Sequence, residues 1–244
     1  MERKPLAKNH RDSEYGFEWS KFTSAGFKKP RTFDWMKEGV AMTFELTLDE
    51  GMYLVRLARK TIESSFRGEK VSLIDASIKM REICGVFVTV YNLQGGKKTL
   101  RGCIGYPYPI KPLVEAVNDV AYAAAFEDPR FPRLTQEEFN QIVVEVSVLT
   151  PPEIINVEKP KDYLSIIRIG IDGLIVKRKE RSGLLLPQVA QEWNWSTNEF
   201  LSQCCVKADL PPDSWLMPGI QIFRFQAIIF AEESPSGTVK REEI

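Results

Sequence analysis

From Met42 onward, apolar and polar residues alternate with the periods of helices and strands. In "TLDE", Thr47 and Glu50 match a capping box, in which each side chain binds the backbone N–H of the other residue. Apolar residues then recur at helical spacing, namely Leu54, Leu57, Ala58 and Ile62. Because glycine favours the end of a helix, the pattern predicts a helix from Thr47 to Gly68.

From Gly85 the sequence has the pattern of a β-hairpin. The runs "GVFVTVY" and "TLRGCIG" are typical of strands, and "NLQGGKK" between them indicates a turn. Lys111 to Phe126 predicts a helix with Pro112 in its first turn. Thr135 to Glu138 predicts the cap of a short helix, and Gln141 to Leu149 predicts a strand.

The second half repeats this order. Gly173–Lys179 and Gly183–Leu186 predict another hairpin, and "PQVAQEW" and Ser196–Cys205 predict helices. The run "MPGIQIFRFQAIIFAEE" predicts one closing strand. The pattern therefore predicts an α+β fold with an antiparallel or mixed sheet, flanking helices and two related β-hairpin-plus-helix halves.

Composition divides the chain into three segments. Residues 1–42 are polar and lack clear periodicity, which predicts an N-terminal extension that packs on the domain, forms a flexible arm or reflects a misassigned start. Residues 43–232 carry the periodic pattern and predict the main domain. Residues 233–244 predict a polar, mobile tail.

Charge and cysteine content narrow the class of protein. Lys plus Arg and Asp plus Glu both number 33, so no net field steers the chain onto nucleic acid. No apolar run is long enough to span a bilayer, and the polar start lacks the apolar core of a signal peptide. Four cysteines without disulfide-scaffold spacing indicate reduced thiols, so we expect a cytoplasmic protein.

The residues exclude several common kinds of site. A thiol or hydroxyl nucleophile usually needs a nearby base, and the chain has one histidine, His10, outside the main domain. Cys204 and Cys205 are adjacent and no C-x-x-C occurs, which argues against zinc. An oxygen-only site of Asp and Glu side chains stays open, but no D-x-D-x-D-G pattern marks one. Without a Walker loop or G-x-G-x-x-G, we expect no metal and no cofactor.

The run "TLRGCIG" carries the strongest candidate site. In a regular strand Arg101, Cys103 and Gly105 share one face. Glycines inside a strand, here Gly102 and Gly105, often mark a bulge or a close approach by backbone or ligand. The arginine suits a carboxylate or phosphate, so we expect an anion-binding cleft. Alternatively, Cys103 is a small core residue and Arg101 pairs with an internal carboxylate.

Two further motifs extend this candidate site. "FEDPRFPRL" places Asp128 and Arg130 on a proline-rigid loop, either as the rim of a site or as a helix stop with a self-paired Asp and Arg. On the strand "VVEVSVL", Glu145 shares a face with Ser147, opposite the valines. Glu145 is either a partner for Arg101 or a solvent-facing side chain.

The chain resembles the AMMECR family, named for the candidate-region gene of the AMME contiguous-deletion syndrome. The similarity rests on "LRGCIG" and on further blocks in the same order: "AAFEDPRFPRL", "VEVSVL", "GIDGLIV", "GLLLPQVAQEWNW" and "EFLSQCCVKADLPPDSW". The resemblance covers about residues 45–230. It implies an α+β fold of two related parts, with the signature strand beside a cleft between subdomains.

The resemblance implies no established molecular activity, and two functions stay open. The first is a site for a small anionic molecule or peptide in the cleft, with Cys103 as its catalytic residue and Arg101, Gly102, Gly105, Asp128, Arg130 and Glu145 as ligand-binding residues. Memo-like and radical S-adenosylmethionine proteins are the partners that the family's gene associations imply. The alternative is an RNA- or protein-binding regulatory module without catalysis.

Overall fold

The structure is a computed structural model that describes residues 44–73 and 76–242. The predicted N-terminal extension, residues 1–42, lies outside the described residues. Across the described part, the chain forms six α-helices: Leu48–Phe66 (α1), Leu113–Phe126 (α2), Gln136–Phe139 (α3), Tyr163–Ile166 (α4), Pro187–Glu192 (α5) and Thr197–Lys207 (α6). The predicted capping boxes at Thr47, Thr135 and Ser196 are confirmed.

The strands of the described residues form two antiparallel sheets. They are Gly85–Gln94 (β1), Lys97–Tyr106 (β2), Ile142–Leu149 (β3), Glu153–Ile154 (β4), Gly173–Arg178 (β5), Arg181–Leu185 (β6), Gln221–Phe225 (β7), Ala227–Glu232 (β8) and Val239–Glu242 (β9). The larger sheet has the order β2-β1-β3-β8-β9, and the smaller has the order β4-β7-β5-β6. The predicted α+β class with antiparallel sheets and flanking helices is confirmed.

One face of the larger sheet packs against α1 and α2. Alternate valines of β1 and β3, among them Val88 and Val146, are fully buried on this face. A buried ion pair fixes α1 to the last part of the sheet, because Arg59 donates two 2.6 Å hydrogen bonds to the carboxylate of Glu232. The helices therefore cover one face of the sheet, and the alternate side chains of its strands lie on the opposite face.

Three predicted boundaries are wrong. "NLQGGKK" is mostly strand, because a two-residue turn at Gly95 and Gly96, both with positive φ, joins β1 to β2. The single closing strand is two strands, β7 and β8, which belong to different sheets and are separated by Gln226. The polar tail is not simply mobile, since β9 pairs with β8 and buries Val239.

Candidate functional site

A β-bulge interrupts the signature strand at Arg101. Gly102 pairs with Val90, but the next partner, Tyr91, pairs with Leu100, so Arg101 is the extra residue of β2. A bulge leaves one residue out of the regular ladder and changes the direction of its side chain. Simple alternation therefore fails at this position.

The bulge separates the two residues that we expected to act together. Cys103 pairs with Thr89 and Leu100 pairs with Tyr91, which places Cys103 and Leu100 on the same face of the sheet. The prediction that Arg101 and Cys103 share one face of a regular strand is wrong. Gly102, next to the extra residue, is the sequence signal for it, because a glycine inside a strand often marks a bulge.

Arg101 is buried and paired with Glu138. Its Nε and Nη2 donate hydrogen bonds of 2.8 and 2.9 Å to the two carboxylate oxygens, and 6% of the residue is exposed. Glu138 also accepts the backbone N–H of Thr135, the cap of α3. These hydrogen bonds, first that from Arg101, hold the pKa of Glu138 below its ordinary value. Internal pairing is therefore confirmed, and Glu145 is not the partner.

The two signature glycines permit close packing within the protein. A Cβ on Gly102 would lie 2.0 Å from the carbonyl oxygen of Ala124, in α2. A Cβ on Gly105 would lie 2.3 Å from the ring of Phe87. A helix backbone and an aromatic ring thus account for the close approach that the glycines predict.

Asp128 and Arg130 close the outer edge of β2 at Cys103. Asp128 accepts the backbone N–H of Cys103 at 2.8 Å, and the Nη2 of Arg130 donates to the carbonyl of Cys103 at 3.2 Å and to Asp128 at 2.8 Å. Burial opposes ionisation of Asp128, but the hydrogen bonds from Arg130 and Cys103 outweigh it and lower the pKa of Asp128. The predicted self-paired Asp and Arg is confirmed, and it protects an edge strand from further pairing.

Cys103 and Glu145 lie in one row across the sheet, on the face opposite α1 and α2. The pairing register is continuous from Cys103 through Thr89, Glu145 and Ala231 to Lys240. Residues directly opposite each other on neighbouring strands share a face. We call this face, defined by those five residues, the trough.

An ion pair shows that this face is concave. Lys98 of β2 and Glu242 of β9 lie on opposite edges of the sheet, yet Lys98 Nζ and Glu242 Oε1 are 3.7 Å apart. Four strand spacings separate the two edges, about 19 Å in a flat sheet, which is too far for the two side chains to meet. The sheet therefore curls, and the pair joins its two edges across this face.

The thiol of Cys103 is half-buried and weakly bonded. Thr89 Oγ1 donates to Cys103 Sγ at 3.3 Å. Burial raises the pKa of the Cys103 thiol, while the Thr89 hydrogen bond and the charge of Arg130 oppose that rise without cancelling it. Cys103 is therefore a protonated thiol near neutral pH and not an activated thiolate.

Glu145 differs from the other carboxylates around the signature strand. Its side chain is half-buried, and it forms no hydrogen bond or ion pair with any residue in the part of the chain that the structure describes. Burial raises the pKa of Glu145 to about 7, Lys98 opposes this rise and Glu242 adds to it. A half-buried carboxyl without a partner, close to its pKa at neutral pH, is a typical feature of a functional site.

The remaining candidate groups offer less chemistry. All four cysteines are free, and burial raises the pKa of Cys84 to about 12 and that of Cys205 to about 11. Within residues 44–73 and 76–242, no cluster of three His, Cys, Asp or Glu side chains could hold a metal ion. In the same ranges no helix is long and apolar enough to cross a membrane.

A crease lies where the ends of strands from the two sheets meet. Prolines from two loops line it, together with Cys84 and Phe225. Its lining includes no charged side chain and none of the predicted site residues. The crease and the trough are therefore separate features.

The two-sheet α+β fold and the signature strand point to one family. The AMMECR1 family model matches residues 55–230. Protein MJ0810 from Methanocaldococcus jannaschii is 49% identical over 199 residues, which cover 82% of this chain and 98% of that protein. A protein from Methanothermobacter thermautotrophicus is 52% identical over 190 residues, which cover 77% of this chain and 97% of that protein.

A solved structure supports the same assignment. The crystal structure of the uncharacterized protein PH0010 from Pyrococcus horikoshii matches with a TM-score of 0.67 and 46% identity, covering 80% of this chain and 98% of that one. The chain belongs to the AMMECR1 family.

Three residues of this region have roles that local sequence patterns do not predict. The sequence predicts Glu138 only as part of a helix cap, Thr89 only as part of an apolar strand, and Lys98 only as part of a turn. Their roles depend on strand register and on the curl of the sheet, neither of which can be read from one sequence. Local periodicity places Glu145 opposite the valines, which the burial of Val144 and Val146 confirms.

Proposed function

We propose that this AMMECR1-family chain binds a small molecule or an extended peptide in the trough, with Cys103 and Glu145 contacting the ligand. The observation that carries the proposal is the carboxyl of Glu145, which has no partner among the described residues and lies on a concave face in the same row as a half-buried thiol. Folding alone gains nothing from burying a carboxyl without a partner, whereas a ligand supplies that partner.

Binding accounts for the geometry better than catalysis by Cys103. Two strand spacings, roughly 10 Å, separate the backbones of Cys103 and Glu145, so the carboxylate does not take the thiol proton directly. The thiol also lacks a cation strong enough to lower its pKa. In this proposal Cys103 contacts the ligand and becomes a catalytic residue only with a proton acceptor that the ligand brings.

The other predicted site residues shape the trough without facing the ligand. Arg101, paired with Glu138, fixes the bulge, and Asp128 and Arg130 hold the strand edge at Cys103. Gly102 lets the strand pack against α2. The expected preference for an anion depended on the guanidinium of Arg101, which Glu138 neutralises, so the proposed ligand no longer needs to be an anion.

Binding of RNA is the weaker alternative for this face. The carboxyls of Glu145 and Glu242 oppose phosphate groups, and the chain has no net charge to draw a nucleic acid. Action in a reducing cytosol, together with Memo-like or radical S-adenosylmethionine partners, is part of the proposal through the family resemblance. The four free thiols are compatible with it.

The proposal is tested by blocking the trough. Ligand-detected NMR with a mixture of metabolites and short peptides is run on the wild-type chain before and after N-ethylmaleimide forms an adduct on Cys103, verified by mass spectrometry. We expect the adduct to abolish binding. The Cys103→Ala variant, treated identically, should retain it, which excludes effects at the other cysteines. Binding that survives the adduct, or that maps to the helix-covered face, contradicts the proposal.

A further inference from the structure

The charges that face the trough leave one group uncompensated. Glu242 Oε1 lies 3.7 Å from Lys98 Nζ and 3.7 Å from Lys240 Nζ, and Lys240 also lies 3.9 Å from Glu233. Two lysines and two glutamates therefore form one network without net charge. Glu145 is the fifth charged group. The charges of Lys98 and Glu242 act on it in opposite senses, but no ion pair with a described residue joins it to this network.

The neighbours on the other side add no compensating charge. Cys103 holds its proton near neutral pH because burial raises the pKa of the thiol. Arg130 lies beyond Cys103, but its guanidinium is bound to the carboxylate of Asp128. The Thr89 hydroxyl is neutral and directs its proton to Cys103 Sγ. Among residues 44–73 and 76–242, the net charge that faces the trough is thus the charge of Glu145.

We infer that the trough recognises a positively charged nitrogen, an ammonium or guanidinium group of the ligand, through the carboxylate of Glu145. This inference rests on the proposed function and names the ligand class that the site takes. A cationic N–H donor supplies both the missing hydrogen bond and the missing charge, and charge-assisted hydrogen bonds of this kind are among the strongest. A neutral donor supplies only the first.

Row geometry also sets where the rest of such a ligand lies. Ala231, on the neighbouring strand, is small, and Thr89 and Cys103 continue the row on the other side. A ligand whose nitrogen lies on Glu145 therefore extends along the row toward the thiol, past the buried side chain of Thr89. The same nitrogen occurs in free amines and in the lysine or arginine side chains of peptides, and both sources fit this row.

The experiment uses fragments of matched size on the full chain. Butylamine, butanol and butyrate are titrated into the protein, and binding is followed by backbone amide shifts of β1, β2 and β3. Acetyl-Gly-Lys-Gly-amide is the peptide arm, which separates a peptide source from a free amine. We expect the amine to bind more tightly than the alcohol and the alcohol more tightly than the acid.

Variants with matched charge changes locate the effect. Glu145→Gln should weaken butylamine binding about tenfold or more, the scale of one lost charge-assisted hydrogen bond. Glu115→Gln, which makes the same change on the exposed surface of α2, should leave binding unchanged.

The outcomes separate this inference from the proposed function. Butyrate binding in the trough more tightly than butylamine, or equal amine binding by Glu145→Gln, overturns the cation inference and leaves the trough as a binding site. Shifts confined to residues outside the trough for all four probes contradict both proposals, and so does the absence of any shift.

Discussion

The carboxylates at the outer edge of β2 and the carboxyl of the trough differ in their hydrogen-bond partners and in the direction of their pKa shifts. At the edge, Glu138 and Asp128 each accept hydrogen bonds from an arginine and from backbone N–H groups, and the pKa of each is lowered. In the trough, Glu145 has no such partner within the described residues, and burial raises its pKa to about 7. The comparison teaches that the most conspicuous charged residues of the signature blocks stabilise the strand, whereas the carboxyl suited to a ligand is on β3.

The largest expected loss of stability comes from removing the carboxylate of Asp128 at the outer edge of β2. Asp128→Ala removes the acceptor for Cys103 N–H and leaves Arg130 without its carboxylate, so the free energy of unfolding should fall by about 3–4 kcal/mol. Urea denaturation measures this loss. The exposed Asp49→Ala change is the control and should cost less than about 1 kcal/mol. An equal loss in both variants would show that the edge pair is not structural.

Adding one methyl group tests the packing of the same strand. Gly102→Ala brings a Cβ to 2.0 Å from the carbonyl oxygen of Ala124, and neither backbone can move freely. We expect a loss of about 3 kcal/mol, the upper part of the range for overpacked cores. If Gly102→Ala has wild-type stability in the same denaturation experiment, close packing against Ala124 is not the reason for a glycine at this position.

In contrast to the changes at Asp128 and Gly102, removal of the charge of Glu145 should increase the free energy of unfolding. Below pH 4.5 the carboxyl of Glu145 is protonated in both the folded and the unfolded chain. Between pH 4.5 and about 7 it ionises only in the unfolded chain. Glu145 therefore destabilises the fold progressively as the pH rises through this range. Glu145→Gln removes this penalty, and should raise stability at pH 8, relative to pH 4, by about 2 kcal/mol after allowance for its partial exposure.

Thermal unfolding of wild type and variant at the two pH values measures this gain. Glu115→Gln is the matched control and should show no pH-dependent gain. If the gain in stability of Glu145→Gln over wild type is no larger at pH 8 than at pH 4, burial does not raise the pKa of Glu145, and the prediction is contradicted.

The smallest effect is expected at the thiol. Cys103→Ser keeps the backbone contacts of Asp128 and Arg130 and changes one half-buried atom, so the free energy of unfolding should change by less than about 1 kcal/mol. The same variant should weaken, but not abolish, the ligand binding proposed for the trough, because Glu145 keeps its contact with the ligand. A larger loss of stability without any change in binding would favour core packing as the role of Cys103.

Local sequence signals predicted most elements of the fold. Capping boxes at Thr47, Thr135 and Ser196 placed helix starts correctly because a cap depends on residues three apart in the chain. The closing strand was predicted as one because its apolar run is nearly continuous. Its division at Gln226 depends on a long-range contact, since Gln226 N–H donates to Thr150 Oγ1 at 2.9 Å.

The candidate site was predicted in part. The self-pairing of Asp128 and Arg130 follows from their spacing on a rigid loop, and it is confirmed. The partner of Arg101 did not follow, because the bulge turns this side chain toward Glu138. The row that joins Cys103 to Glu145 arises from the register of three strands, which hydrophobic patterning alone does not determine.

The ionisation of Glu145 is the most direct test of the account. Carbon-13 NMR of the side-chain carboxyl, assigned through the Glu145→Gln spectrum, gives its titration midpoint in the presence of its charged neighbours Lys98, Lys240 and Glu242. The account predicts a midpoint near 7, well above those of Glu138 and Asp128. A midpoint at or below the ordinary glutamate value of 4.5 would contradict it.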